Sequence, residues 1–162
     1  MAECCCPEPS ATNDDEPATC AACHSAGKPV DSLTVKALLT SSALSRFERA
    51  DYRFCPDANC DVVYFAQRVR AFWKADLRVP VWHKEAPGQR IVCYCFSENE
   101  ADIATEIERD GQSRAVDRVR AHIAAGRCAC EVRNPRGACC LGDVTAAVER
   151  MREALRKAAL RP

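Results

Sequence analysis

The sequence of 162 residues has no apolar run approaching the ~18 residues a membrane-spanning helix needs, so no segment is expected to cross a bilayer. Its first residues, MAECCCPEPSATNDDEP, have neither a basic patch nor an apolar stretch. No ordinary secretory signal is read there, and a cytoplasmic location is the expectation. Net charge is also missing, since 23 basic side chains balance 23 acidic ones. What is present in excess is cysteine: 13 residues, an odd number, in a chain expected to sit in a reducing compartment. Thiols at that density are a liability unless metal or redox chemistry occupies them. With 48% hydrophobic residues the chain can bury a modest core, which excludes wholesale disorder and fibrous structure.

The pattern divides the chain in three. Residues 7–19 hold three prolines and four acids without periodic hydrophobics, so residues 1–19 are expected to form a flexible acidic arm carrying Cys4, Cys5 and Cys6. Residues 20–87 are expected to form a small β-rich module, with alternating Tyr52 and Phe54, a Val62–Phe65 run, further strand-like residues from Phe72 to Trp82, and one short helix near Val35–Leu39. The segment Ala86-Pro-Gly-Gln89 marks a boundary, and residues 88–162 turn helical. There, Ser97 and Glu100 form a capping-box pattern opening a helix that ends at Gly111, and a second helix ends at Gly126. A third runs from about Leu141 to Leu160, with Leu141, Val144, Val148, Met151 and Leu155 along one stripe. That stripe covers barely two heptads, so packing on its own domain is expected ahead of a coiled-coil dimer. The basic residues of its last turns, Arg150, Arg152, Arg156, Lys157 and Arg161, complement the helix dipole, and no nucleic-acid partner is expected. The fold class expected is α+β.

Two cysteine constellations carry the chemistry. Cys20-Ala-Ala-Cys23 and Cys55-Pro-Asp-Ala-Asn-Cys60 are two chelating turns, and two such turns complete a tetrahedral thiolate shell that suits structural zinc. That ion would supply folding energy to a small module. The same residues leave other readings open: Cys20-Ala-Ala-Cys23-His24 matches a c-type haem attachment site, and a thioredoxin-like redox pair has the same spacing. His83 and His122 are isolated and expected to be packing or surface residues.

The second constellation is Cys93, Cys95, Cys130, Cys139 and Cys140. Cys93 and Cys95 are expected at a strand-to-helix junction. Asn134-Pro-Arg-Gly137 has proline and glycine where a type I turn wants them, which folds residues 130 and 140 toward each other. A C-x-C pair and a C-C pair are poor zinc knuckles. Iron-sulfur ligation tolerates such spacing, because the inorganic core bridges the gaps. A 2Fe-2S cluster, a second zinc and buried thiols all remain open on spacing alone.

The run Cys93-Tyr-Cys95, the two helices after it, Cys130-Glu-Val-Arg-Asn-Pro-Arg-Gly-Ala-Cys139-Cys140, and the segment Tyr52-Arg-Phe-Cys55-Pro-Asp-Ala-Asn-Cys60-Asp-Val-Val-Tyr-Phe65 together resemble the N-terminal domain of the CopZ copper-chaperone family. The helical part is also similar to the 2Fe-2S domain of the bacterioferritin-associated ferredoxin family. The resemblance covers about residues 18–145. It implies zinc on Cys20, Cys23, Cys55 and Cys60, and a 2Fe-2S cluster on Cys93, Cys95, Cys130 and one of the adjacent pair, with Cys140 chosen over Cys139. The family's separate copper motif, M-x-C-x-x-C, is not found around Met1 or Met151.

The function expected is metal handling with one-electron transfer. A cluster that carries one electron suits reduction of Cu(II), with Cu(I) or Hg(II) as cargo on Cys4, Cys5 and Cys6. An electron donor and a metal-transport protein are the partners such a role implies, and a metal-ion reductase activity is a weaker expectation than electron transfer and metal binding. The rival expectations are a non-catalytic metal- or redox-sensing module and a plain structural zinc protein.

Overall fold

The computed structural model describes residues 18–160. The arm cysteines Cys4, Cys5 and Cys6 lie outside them. The architecture mixes short strands with helices. Strands β1 (Lys28–Pro29), β2 (Arg53–Phe54), β3 (Val62–Phe65) and β4 (Phe72–Trp73) form an antiparallel sheet in sequence order. Helices α1 (Ser32–Leu38) and α2 (Ser41–Leu44) pack beside it. Asp31 caps α1 by accepting from the Leu33 N–H at 2.6 Å, and Thr40 caps α2. The first part is therefore less β-rich than expected: three of its four strands are two residues long, and Val79 and Val81 lie in a loop leading into a 3-10 turn, Trp82–Lys84, that takes up Trp82. Pro80 interrupts that stretch between the two valines, which removes a donor that a ladder would need.

After this turn come a β5–β6 hairpin (Ile91–Cys93 and Glu98–Asn99) and helices α3 (Glu100–Asp110), α4 (Ala115–Ala124), α5 (Cys130–Arg133) and α6 (Leu141–Ala159). Gly111 ends α3 in the left-handed region at φ 74°, with its N–H returned to the Ile107 carbonyl. The start of α3 departs from the capping-box expectation. Asn99 is the cap, accepting from the Asp102 N–H at 2.9 Å, while Ser97 sits at φ 58° in the hairpin turn. A hairpin thus stands where a direct strand-to-helix junction was expected, and Cys95 lies in its turn. The turn at Asn134–Gly137 forms as read, with the Gly137 N–H donating to the Asn134 carbonyl at 2.7 Å.

The β3 run is continuous rather than alternating because both its faces are covered. Val63 and Tyr64 enter one core with Val35, Leu39, Phe54 and Phe72, while Val62 and Phe65 pack against Cys20, Cys55 and Cys60. A further core joins Val92, Ile103, Ile107, Val119 and Val144. Val144, Ala147 and Val148 give α6 one buried stripe, which packs against α3, α4 and β5 within the chain. Buried carboxylates on this side are paired: Glu98 takes a bidentate contact from Arg118 at 2.8 Å, and Glu100 pairs with Arg150 at 2.9 Å. No helix of the described residues is long and apolar enough to cross a membrane.

Candidate metal centres

Two tight turns build the first centre. Thr19 bridges Ala26, the Cys20 N–H donates to the Ser25 carbonyl at 3.0 Å, and the His24 N–H donates to the Cys20 carbonyl at 2.8 Å. In the second turn the Asp57 carboxylate accepts from the Asn59 N–H at 2.8 Å, and the Cys60 N–H reaches the Asp57 carbonyl at 3.3 Å. The Cys55 N–H donates to the Val63 carbonyl, so β3 anchors the turn. The result brings the sulfurs of Cys20, Cys23, Cys55 and Cys60 within 4.8 Å of one another. Cys20 and Cys60 sulfurs are 3.9 Å apart, and those of Cys23 and Cys55 are 3.5 Å apart. A tetrahedral thiolate shell with metal–sulfur bonds of about 2.3 Å has sulfurs about 3.8 Å apart, so this donor set can hold a zinc-sized ion. His24 is not part of the group.

Backbone amides of Asp57 and Val62 point at the sulfurs of Cys55 and Cys60, and the Ser25 hydroxyl and amide point at Cys23. Such donors orient thiolates and stabilise their charge. Hydrogen bonding from Ser25 lowers the Cys23 thiol to about 7, whereas burial raises those of Cys55 and Cys60. Lys84, which sequence reasoning passes over, completes the surroundings: its ammonium donates to the Asp57 carbonyl at 2.6 Å and the Cys60 carbonyl at 2.8 Å. No local motif announces it, because those contacts span 27 and 24 residues.

The second group is arranged differently. The Cys93 and Cys140 sulfurs are 2.8 Å apart, and those of Cys95 and Cys130 are 3.7 Å apart, so four thiols from four segments meet as two pairs. Cys93 ends β5, Cys95 lies in the hairpin turn, Cys130 opens α5 and Cys140 caps α6. The Ala129 N–H donates to the Cys95 sulfur at 3.3 Å, and amides of Phe96 and Cys95 point at Cys93. The hydrogen bond from Cys140 lowers the Cys93 thiol to about 7 and raises that of Cys140, and burial raises Cys130 to about 12. Cys140 is buried, while Cys139 and Cys128 are exposed. Arg133 reaches the Cys95 carbonyl, and Arg136 is drawn away to an ion pair with Asp143. His122 stacks on Phe96 and His83 meets Phe54 edge-on, so both histidines are packing residues.

Known proteins resemble this chain both over its first part and over most of its length. Residues 17–78 match the family model described as the zinc binding domain of CopZ. The copper chaperone CopZ of Archaeoglobus fulgidus is 34% identical over 121 residues, which is 75% of this chain and 57% of that protein. The chain therefore spans little more than half the length of that curated relative. The X-ray structure of the N-terminal domain of the same CopZ superposes with a TM-score of 0.66 at 32% identity, over 80% of this chain and 96% of that domain. With that identity across nearly the whole of a solved domain, the chain belongs to the CopZ family, as a relative of its N-terminal domain.

Proposed function

We propose that this protein handles soft metal ions and moves single electrons in doing so. Zinc is held by Cys20, Cys23, Cys55 and Cys60 as a structural ion, since four protein ligands leave no open position. A 2Fe-2S cluster is held by Cys93, Cys95, Cys130 and Cys140. The observation that carries the second assignment is the meeting of these four thiols in two close pairs, Cys93 with Cys140 and Cys95 with Cys130. Two pairs suit a centre of two metal ions better than one tight tetrad does, and backbone amides aimed at the sulfurs offset its negative charge. When bound, such a cluster supplies one electron at a time, which suits reduction of Cu(II) to Cu(I) and excludes hydride transfer. The residues of the chain hold the thiolates in register, bury them and exclude water from three of the four sulfurs. Copper is cargo in this scheme, taken as Cu(I) by Cys4, Cys5 and Cys6, and kinship with a copper chaperone supports that cargo.

The test is metal and sulfide analysis of anaerobically purified protein together with its visible spectrum. Iron, sulfide and zinc at about 2:2:1, with charge-transfer absorption that bleaches with dithionite, is the expected result. Cys140→Ser should abolish iron and sulfide retention and Cys139→Ser should leave it unchanged. Absence of iron and sulfide after anaerobic reconstitution overturns the cluster and leaves a zinc protein. Replacing Cys4, Cys5 and Cys6 by serine should remove tight Cu(I) binding, and an unchanged copper stoichiometry removes the arm from the scheme.

A further inference from the structure

Lys84 is 7% exposed, yet its ammonium has no carboxylate within ion-pair distance among the described residues. Lysine is almost never this deeply buried without a counter-charge, because removing an ammonium from water costs several kcal/mol. Its neighbours are two carbonyl oxygens, from Asp57 and Cys60, and the face of Phe54 at 5.9 Å. Carbonyls and a ring solvate a cation, but they bring no negative charge. Both carbonyls belong to the Cys55–Cys60 turn, and the charge of Lys84 acts on the Cys55 thiol, so the ammonium lies beside the turn that carries two of the thiols. Four thiolates around one divalent ion carry a net charge of about −2, and that charge would sit on the turn the ammonium contacts.

We propose that Lys84 is the counter-cation of the four-thiolate centre and sets how firmly that centre keeps its metal. The inference rests on the zinc assignment of Cys20, Cys23, Cys55 and Cys60. The ammonium offsets half of the excess negative charge in a region shielded from water, where charge interactions are strong. The lysine arrives on the 3-10 turn Trp82–Lys84, tied by its own N–H to the Val81 carbonyl at 2.8 Å. Its two carbonyl hydrogen bonds position the charge beside the turn that carries Cys55 and Cys60. Lys84 is a positioning residue by this argument and makes no bond to the metal.

The experiment follows zinc transfer from the purified, zinc-loaded full chain to excess EDTA. Wild type, Lys84→Met, Lys84→Gln and Lys84→Arg are compared, with zinc content measured first and cobalt substitution used to confirm that four sulfurs still ligate. Lys84→Gln keeps a hydrogen-bond donor without charge, and Lys84→Arg keeps the charge. Zinc release about tenfold faster in both neutral variants, with Lys84→Arg close to wild type, is the expected result. Loss of zinc from both neutral variants during purification, with retention by Lys84→Arg, supports the proposal equally. Release from Lys84→Gln at the wild-type rate overturns it, because the hydrogen bonds alone would then suffice. Release from Lys84→Arg as fast as from Lys84→Met overturns it too. A wild-type protein that takes up no zinc refutes the zinc assignment itself, an outcome distinct from either of these.

Discussion

At the scale of single residues, His83 shows how a side chain with no catalytic part contributes to the response of the molecule to acid. Burial, and then the charges of Lys84, Arg136, Arg90 and Lys28, depress its imidazole to about 4 from an ordinary 6.5. The unfolded chain therefore binds a proton there before the folded one does. Above pH 6.5 the ring is neutral in both states and carries no protonation-linked cost, and folding stability is lost as the pH falls from 6.5 toward about 4. Its Nδ1 also lacks a hydrogen-bond partner among the described residues, and the ring sits edge-on to Phe54 at 4.9 Å. His83→Phe should flatten the stability profile across that window by about 1–2 kcal/mol, after allowance for the ring's partial contact with solvent, and leave stability at pH 7 nearly unchanged. Denaturant unfolding of the zinc-loaded protein at a series of pH values checks this, and an unaltered slope assigns the acid sensitivity to other groups.

At the scale of elements, the turn that brings Cys140 back toward Cys130 depends on Gly137. Its φ is 65°, and a Cβ there would lie 2.8 Å from the Thr34 hydroxyl oxygen. That hydroxyl is committed, since it donates to the Glu131 carbonyl at 2.6 Å and so ties α1 to α5. Gly137→Ala is expected to cost about 1–3 kcal/mol through backbone strain and loss of this tie, read as a lower denaturation midpoint with an unchanged m-value. The turn itself was legible, because proline and glycine stood at the positions a type I turn requires. So were α3, α4 and α6, whose apolar periodicity is local information. Asn99 displaced Ser97 as the helix cap because a hairpin intervenes, and hairpin pairing of Ile91 with Asn99 leaves little trace in a two-residue strand. The one-turn helix α5 is too short for any period to appear. Cysteine spacing brought out the Cys20–Cys60 group, whereas the pairing of Cys93 with Cys140 joins residues 47 apart and follows only once the helices are packed.

At the scale of the whole molecule, the question is whether the two thiol groups answer to each other. Each lies against its own apolar cluster, Cys60 beside Val62 and Phe65, and Cys93 beside Val92 and Ile103. The clusters are not independent. The Tyr64 hydroxyl, on the sheet that carries the Cys55 turn, donates to the Pro135 carbonyl at 2.8 Å, inside the segment that joins Cys130 to Cys140. Burial pushes that phenol well above its ordinary range, so it stays a donor at any working pH. With zinc on the first group as proposed, its loss would free the Cys20 and Cys55 turns, loosen β3 and so withdraw Tyr64 and its hydrogen bond from the other side. If the second centre holds the proposed 2Fe-2S cluster, chelation of zinc should therefore accelerate loss of that cluster's visible absorption, although none of its four cysteines is a zinc ligand in the proposed assignment. Tyr64→Phe removes the tie without removing zinc and leaves the buried Pro135 carbonyl unpaired, at about 1–2 kcal/mol. In that variant the chromophore of the zinc-loaded protein should decay roughly 5- to 30-fold faster, and zinc removal should add little more. A chromophore that outlasts chelation unchanged in wild type, measured by absorbance against zinc released, would mean that the two centres stand on separate supports.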